Sequence, residues 1–229
     1  MSLLRQLFRG DLPKLVMFDL DGTLLDSVPD LAAAVDRTLQ DLGRPAAGVD
    51  KVRNWVGNGA RVLVRRALAD SIEHDAVDDA LAVQALELFM QHYAESHEMS
   101  VVYPGVQETL DWLREQDIEL ALVTNKPERF VAPLLDQKKL GGYFRWIIGG
   151  DTLPQQKPDP AGLLYVMKLA RVEPDCALFI GDSRNDVHAA KAAGVPCVAL
   201  TYGYNHGRPI AEEQPDHVLD SLTGLLQAS

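Results

Sequence analysis

The chain has 229 residues, enough for one large domain or one domain carrying an insertion, with 47% hydrophobic and 24% charged residues as in globular proteins. Folding at this length hides roughly 70% of the unfolded surface, so no covalent staple is needed. A net charge of −11 argues against nucleic acid and anionic membranes as partners, and it repels a phosphorylated ligand unless the site brings its own cations.

Lys14–Phe18 is a short apolar run that stops at Asp19. Ser27-Val28-Pro29-Asp30 then spells a capping box. Leu31, Val35, Leu39 and Leu42 fall on one helical face. Val62, Leu63, Arg66 and Ala67 make a shorter stripe, and Leu81, Ala85, Leu88, Phe89 and His92 a further one. No strand-like run interrupts residues 28–100, which predicts an insertion of roughly four helices hinged near residues 25–28 and 100–104. Ile118–Val123 is the next apolar run and stops at Thr124 and Asn125; a helix over Pro127–Gln137 is expected after it. Trp146–Ile148 is closed by Gly149 and Gly150. A helix over Asp159–Ala170 leads to the run Ala177–Ile180, which stops at Gly181 and Asp182. Arg184–Ala193 reads as a helix with Gly194 past its end, Val195–Leu200 as the last strand, and Leu219–Leu226 as a short terminal helix.

Continuous apolar runs, rather than alternating ones, suit strands covered on both faces of a parallel sheet. The expected fold is therefore α/β: an open Rossmann-like parallel sheet with helices on both faces, plus a small α-helical domain inserted in it. Residues 1–27 and 101–229 make the α/β domain and residues 28–100 the insertion. Ligands of such sheets gather beyond the carboxyl ends of the strands, where Asp19, Thr124 and Asp182 stand.

Asp19-Leu20-Asp21-Gly22-Thr23 sets two carboxylates beside one cleft, and Asp182 and Asp186 add two more. Two such charges about 4 Å apart repel by roughly 4 kcal/mol at an effective dielectric of 20, so the cluster calls for a cation. An all-oxygen donor set favours magnesium over zinc. A carboxylate is also a nucleophile toward phosphorus, and a second carboxylate can carry the proton. Thr124, Asn125 and the amino end of the helix opening at Pro127 offer hydrogen bonds to phosphoryl oxygens, and Lys157 offers fixed positive charge. Each has a plainer reading alongside. Asp19 and Asp21 could be turn residues with Gly22 supplying the bend, Thr124-Asn125 a helix cap, Lys157 a solvated loop lysine, and Asp182 and Asp186 partners of a helix dipole.

Asp19-Leu20-Asp21-Gly22-Thr23-Leu24, Thr124-Asn125, Lys157-Pro158 and Gly181-Asp182-Ser183-Arg184-Asn185-Asp186 resemble, in order, the four motifs of the haloacid dehalogenase superfamily. The helical insertion is similar to that superfamily's small cap. Trp55-Val56-Gly57-Asn58-Gly59-Ala60 and Tyr202-Gly203-Tyr204-Asn205-His206-Gly207 resemble phosphoglycolate phosphatases. The resemblance covers nearly the whole chain. It implies Asp19 as nucleophile and metal ligand, and Asp21 as acid/base that binds Mg2+ through its backbone carbonyl. It also implies Thr124 and Lys157 on the phosphoryl oxygens with Asn125 assisting, Asp182 as a metal ligand, and Asp186 in support of the metal. The expected reaction is Mg2+-dependent hydrolysis of 2-phosphoglycolate through an aspartyl-phosphate. A sugar phosphate or nucleotide as substrate, a capped phosphomutase, and a receiver-like phospho-acceptor module stand as the alternatives.

Asn58 and Gly59 are candidates for contact with the substrate's carboxylate, with Arg61, Arg65 or Arg66 adding charge; a plain helix–helix turn with a basic surface is the competing reading. The six histidines read as surface or satisfied residues, and Trp55, Trp112 and Trp146 as packing. Cys176 and Cys197 read as buried reduced thiols. No membrane-length apolar stretch occurs, and Met1–Gly10 lacks the apolar block of a signal peptide. A cytoplasmic monomer or homodimer acting on a small phosphorylated metabolite is the expectation.

Overall fold

A computed structural model describes residues 2–95 and 98–227. A short helix α1 (Leu3–Leu7) puts Leu3 and Leu4 into the core, and β1 (Leu15–Phe18) follows, buried at every position. The two-residue strands β2 (Leu25–Asp26) and β3 (Val101–Val102) pair as an antiparallel ribbon. Between them lie α2 (Val28–Asp41), α3 (Val49–Trp55), α4 (Gly59–Ala69) and α5 (Asp79–Ala94). Beyond β3 come α6 (Val106–Glu115), β4 (Glu119–Val123), α7 (Val131–Gln137) and β5 (Trp146–Ile148). The chain finishes with α8 (Ala161–Ala170), β6 (Ala177–Gly181), α9 (Arg184–Ala193), β7 (Cys197–Leu200) and β8 (His217–Leu219).

The main sheet is parallel, in the order β5-β4-β1-β6-β7-β8. After β1 the chain adds β4 and β5 on one side, then crosses back to add β6, β7 and β8 on the other. That reversal opens a crevice at the carboxyl ends of β1 and β6, where ligands of such sheets bind. Val16 and Phe18 point into a cluster with Leu110, Leu113 and Leu134 from α6 and α7. Leu15 and Met17 point the other way, onto Leu163 and Val166 of α8 and Ala190 of α9. Both faces are covered, which is why these strands do not alternate in polarity.

The helices between β2 and β3 have a core of their own. Leu31, Val35 and Leu39 meet Val52, Trp55, Leu63 and Phe89, and burying a side chain such as Phe89 stabilises by about 1.5–3 kcal/mol. Phe130 and Tyr204 join this cluster from the rest of the chain. On α5 the buried face is Ala82, Ala85, Phe89 and Tyr93; His92, expected in the stripe, instead meets Asp41 at 2.7 Å.

Three local expectations are corrected. Ser27 and Asp30 form no capping box: the Ser27 hydroxyl donates to Asp21 at 2.6 Å, while Asp30 accepts the N–H groups of Met99 (3.1 Å) and Ser100 (2.6 Å) and the Ser100 hydroxyl. A carboxylate acceptor takes Ser27 and distant donors take Asp30, and the latter bonds tie the entry of the helical segment to its exit. The expected helix over Leu219–Leu226 is replaced by β8, which pairs with the β7 edge, and a 3-10 turn over Leu222–Leu225. Leu222 and Leu225, three apart, point the same way in a 3-10 turn, and both are fully buried. The segment after Pro127 runs as a 3-10 turn over Glu128–Phe130 before α7, so no helix opens at Pro127 to receive a phosphate.

Candidate active site

Asp19 leaves β1 with its N–H on the Ile180 carbonyl (2.9 Å), which holds the ends of β1 and β6 together. Carboxylate oxygens of Asp19, Asp182 and Asp186 lie within 4.8 Å of one another, all in buried residues. Asp182 accepts the Thr23 hydroxyl at 2.5 Å through one oxygen and the Tyr204 N–H at 2.6 Å through the other. Gly22, at φ +92°, and Gly203 make room for it: a Cβ on either would stand 2.2 Å from an Asp182 side-chain atom.

Asp186 sits in the first turn of α9. One of its oxygens accepts the N–H groups of Asp182 (3.1 Å) and Ser183 (2.9 Å) and the Ser183 hydroxyl (2.6 Å). This is the acidic half of a capping box, which the spacing Ser183-x-x-Asp186 spells in the sequence. The other oxygen faces Lys157 Nζ at 2.6 Å. Lys157 also approaches Asp19 Oδ1 at 2.9 Å, an ionic contact outside hydrogen-bond geometry that leaves this buried oxygen without a hydrogen-bond donor.

Burial dominates the electrostatics. It raises the Asp19 carboxyl to about 7, with Lys157 pulling against the rise and Asp186 and Asp21 adding to it. Asp182 is raised well above the carboxylate range by burial first, then by Asp186 and Asp19. Burial disfavours the Lys157 ammonium, but Asp186 and Asp19 outweigh it, so its affinity for the proton rises. Three carboxylates around one lysine remain short of positive charge, and their oxygen-only donor set fits a magnesium ion.

Asp21 stands apart from this cluster. Its two oxygens face Lys126 Nζ at 3.0 and 3.1 Å, and Ser27 donates to the first of them. No motif marks Lys126; a Lys two residues past a strand-end Thr is its only signal in the sequence. Thr124 is buried at the end of β4, its N–H on Ile148 (2.9 Å). The Asn125 carboxamide donates to the carbonyls of Gly57 (2.9 Å) and Lys157 (2.8 Å), and its own oxygen is buried without a partner.

A cavity of about 50 Å³ lies between these residues and the inserted helices. Asp19, Asp21, Thr124, Asn125 and Lys126 form its polar side, and Leu31, Val56, Leu63, Phe89 and Phe130 its apolar side. Gly59 lines it. Asn58 does not, its carboxamide instead donating to Asn185 at 3.3 Å. Asn185 in turn donates to the Gly57 carbonyl (3.1 Å). The arginines expected nearby are engaged elsewhere: Arg65 pairs with Asp79 at 2.7 Å, and Arg66 donates to the Trp55 carbonyl at 2.6 Å. Arg61 is exposed and outside the lining. His206 borders the same loop, with Nδ1 2.8 Å from the Asn54 carbonyl. Cys176 and Cys197 are free thiols; Cys197 is buried as expected, whereas Cys176, at the end of a 3-10 turn just before β6, is only half-buried. Among the described residues no helix is long and apolar enough to cross a membrane.

The family model described as haloacid dehalogenase-like hydrolase matches residues 16–200. A phosphoglycolate phosphatase of Pseudomonas putida is 72% identical over 226 residues, covering 99% of this chain and 83% of that protein. Phosphoglycolate phosphatase 1 of Pseudomonas aeruginosa is 69% identical with the same coverage. A crystal structure of a "predicted phosphoglycolate phosphatase" from Haemophilus somnus 129pt superposes with a TM-score of 0.86 at 40% identity, over 93% of this chain and 96% of that one.

Proposed function

The chain belongs to the haloacid dehalogenase-like hydrolases and, within them, to the phosphoglycolate phosphatase family, and from that premise we propose that it hydrolyses 2-phosphoglycolate to glycolate and phosphate through an aspartyl-phosphate on Asp19. The observation that carries this reading is the convergence of Asp19, Asp182 and Asp186 within 4.8 Å, with Lys157 against two of them.

Asp19 and Asp182, together with the Asp21 backbone carbonyl, would hold Mg2+. Asp186 contributes from behind, because its oxygens are already taken by Lys157 and by three donors at the start of α9. The ion supplies positive charge that keeps Asp19 ionised and offsets charge on the phosphoryl oxygens. An Asp19 carboxylate oxygen attacks phosphorus while the bond to the glycolate oxygen breaks, and Asp21 gives that oxygen its proton. Asp21 then takes a proton from water, the water oxygen attacks phosphorus, and the bond to Asp19 breaks to release phosphate. Thr124, Asn125 and Lys157 position the phosphoryl oxygens through both steps.

Residues 28–100 act as a cap over the core formed by residues 1–27 and 101–229, turning on the β2–β3 ribbon. The cavity beneath holds on the order of three or four waters by volume. That supports a substrate of few atoms over a nucleotide or sugar phosphate. Gly59 presents backbone to the substrate, and Asn58 acts through Asn185 to shape the same loop. Free thiols are in keeping with a cytoplasmic enzyme, working as a monomer or homodimer without nucleic-acid or membrane partners.

The test is a panel of phosphorylated metabolites assayed with magnesium and with chelator. 2-Phosphoglycolate is expected to give the highest kcat/KM, abolished by chelator and by Asp19→Asn. A flat profile across sugar phosphates and nucleotides would reject the substrate, and full turnover by the Asp19→Asn protein would reject the nucleophile.

A further inference from the structure

The mechanism uses Asp21 twice, yet Asp21 is held by a side chain that has no task in it. Lys126 is buried, its side chain 2% exposed, and its ammonium meets both oxygens of the Asp21 carboxylate at 3.0 and 3.1 Å. Burial works against that charge, but Asp21 and Tyr93 together outweigh it, so the affinity of Lys126 for its proton rises. The same ammonium lies 4.7 Å from the centre of the Tyr93 ring, which comes from α5. Ser27, just before α2, donates to one of the same Asp21 oxygens. Asp21 is thus gripped from below by the strand end after β4 and from the side by the first hinge segment. A carboxylate engaged through both oxygens by a charged donor cannot rotate without losing a strong hydrogen bond.

We propose that Lys126 is a positioning residue for Asp21: it fixes the direction in which the acid/base presents its oxygens, and through Tyr93 it makes that direction depend on the seating of the inserted helices. The inference rests on the reading of Asp21 as acid/base. Lys126 donates no proton to the substrate. Its effect runs through the orientation of the neighbouring carboxylate, and a misplacement near 1 Å is enough to cost a large factor in rate.

Leaving groups separate this role from a merely structural one. An alkoxide leaving from 2-phosphoglycolate needs a proton, whereas p-nitrophenolate leaves without one. The magnesium-loaded protein, Lys126→Met, Asp21→Asn and the double variant are compared on both substrates, with the first turnover on p-nitrophenyl phosphate followed by rapid mixing. Lys126→Met is expected to lower kcat on 2-phosphoglycolate by about 100-fold, within the usual range for acid/base catalysis, and to change KM and the first-turnover release of p-nitrophenolate by less than about 3-fold. Added to Asp21→Asn it should cost less than about 3-fold more, because two residues acting through one group are not additive. If Lys126→Met lacks a cooperative melting transition, Lys126→Arg, which keeps the charge but moves the donors, carries the test, with the same substrate pattern at roughly 10-fold.

A first-turnover loss on p-nitrophenyl phosphate equal to the loss on 2-phosphoglycolate, or independent losses in the double variant, would overturn the proposal. So would a rise in KM for 2-phosphoglycolate alone, which would make Lys126 a receptor for the substrate's carboxylate. If Asp21→Asn leaves turnover of 2-phosphoglycolate intact, the acid/base reading itself falls. If Asp21→Asn is impaired and Lys126→Met is not, the Lys126 inference alone falls.

Discussion

Replacing Lys157 with Met tests whether one buried ammonium balances the acidic cluster. Met keeps most of the volume, so the loss of charge is measured with little cavity contribution. Lys157 Nζ lies 2.9 Å from Asp19 and 2.6 Å from Asp186, and its side chain is 3% exposed. Each contact is worth roughly 6 kcal/mol at an effective dielectric of 20. Desolvation of the ammonium opposes this gain, and removing one partner of a buried pair costs about 3–5 kcal/mol because the remaining charge is stranded. For a chain of 229 residues that loss corresponds to a drop of about 6–20 °C in Tm. Thermal unfolding should be followed in chelator, so that no divalent ion replaces the missing charge, and urea unfolding at 25 °C should give the free energy directly. A Lys157→Met protein melting within about 2 °C of the parent would refute the idea that this lysine compensates Asp19 and Asp186. A large loss confined to activity would refute it equally.

Gly203→Ala places a Cβ 2.2 Å from the Asp182 Cβ, so either the loop or the carboxylate must move. A stability loss of about 1–3 kcal/mol is expected from overpacking, together with weaker magnesium activation in a titration of phosphatase rate; unchanged magnesium dependence would mean that Asp182 needs no such clearance. Burial and, less strongly, the neighbouring arginines lower the pKa of His206, while its bond to Asn54 raises it. A histidine whose folded pKa is depressed contributes stability that is present above its unfolded value of about 6.5 and lost as pH falls through the folded value. Denaturant unfolding at pH 7.5 and 5.5 should therefore show a smaller decline for His206→Gln than for the parent, and equal declines would contradict this environment.

Much of the architecture is written locally. The strands stop at Asp19, Thr124 and Asp182 because apolar runs end there in polar residues, and α9 stops where Gly194 adopts φ +71°. The four helices between β2 and β3 follow from stripes of Leu, Val and Ala whose period is independent of what they pack against. The same sequence gives little warning of β2, β3 and β8, which are two or three residues long and exist only by pairing with a distant partner. Ser27 and Asp30 illustrate the limit. Their spacing suits a capping box, but the side chains answer to Asp21 and Ser100, the latter 70 residues away. The spacing of Ser183 and Asp186 also suits a capping box, and there Asp186 does accept the Ser183 N–H.

Which chemical groups are available, and in which order the chain delivers them, is legible residue by residue, since apolar runs, glycines and strand-end carboxylates act over a few residues. How those groups share charge emerges once distant segments pack together. Lys157 serves Asp19 and Asp186 while Lys126, one residue past Asn125, serves Asp21 across 105 residues of chain. An exposed lysine and a buried one look alike in sequence. The difference comes from burial, which makes an unpaired charge costly and so dictates, once the chain has folded, which carboxylate each ammonium must face.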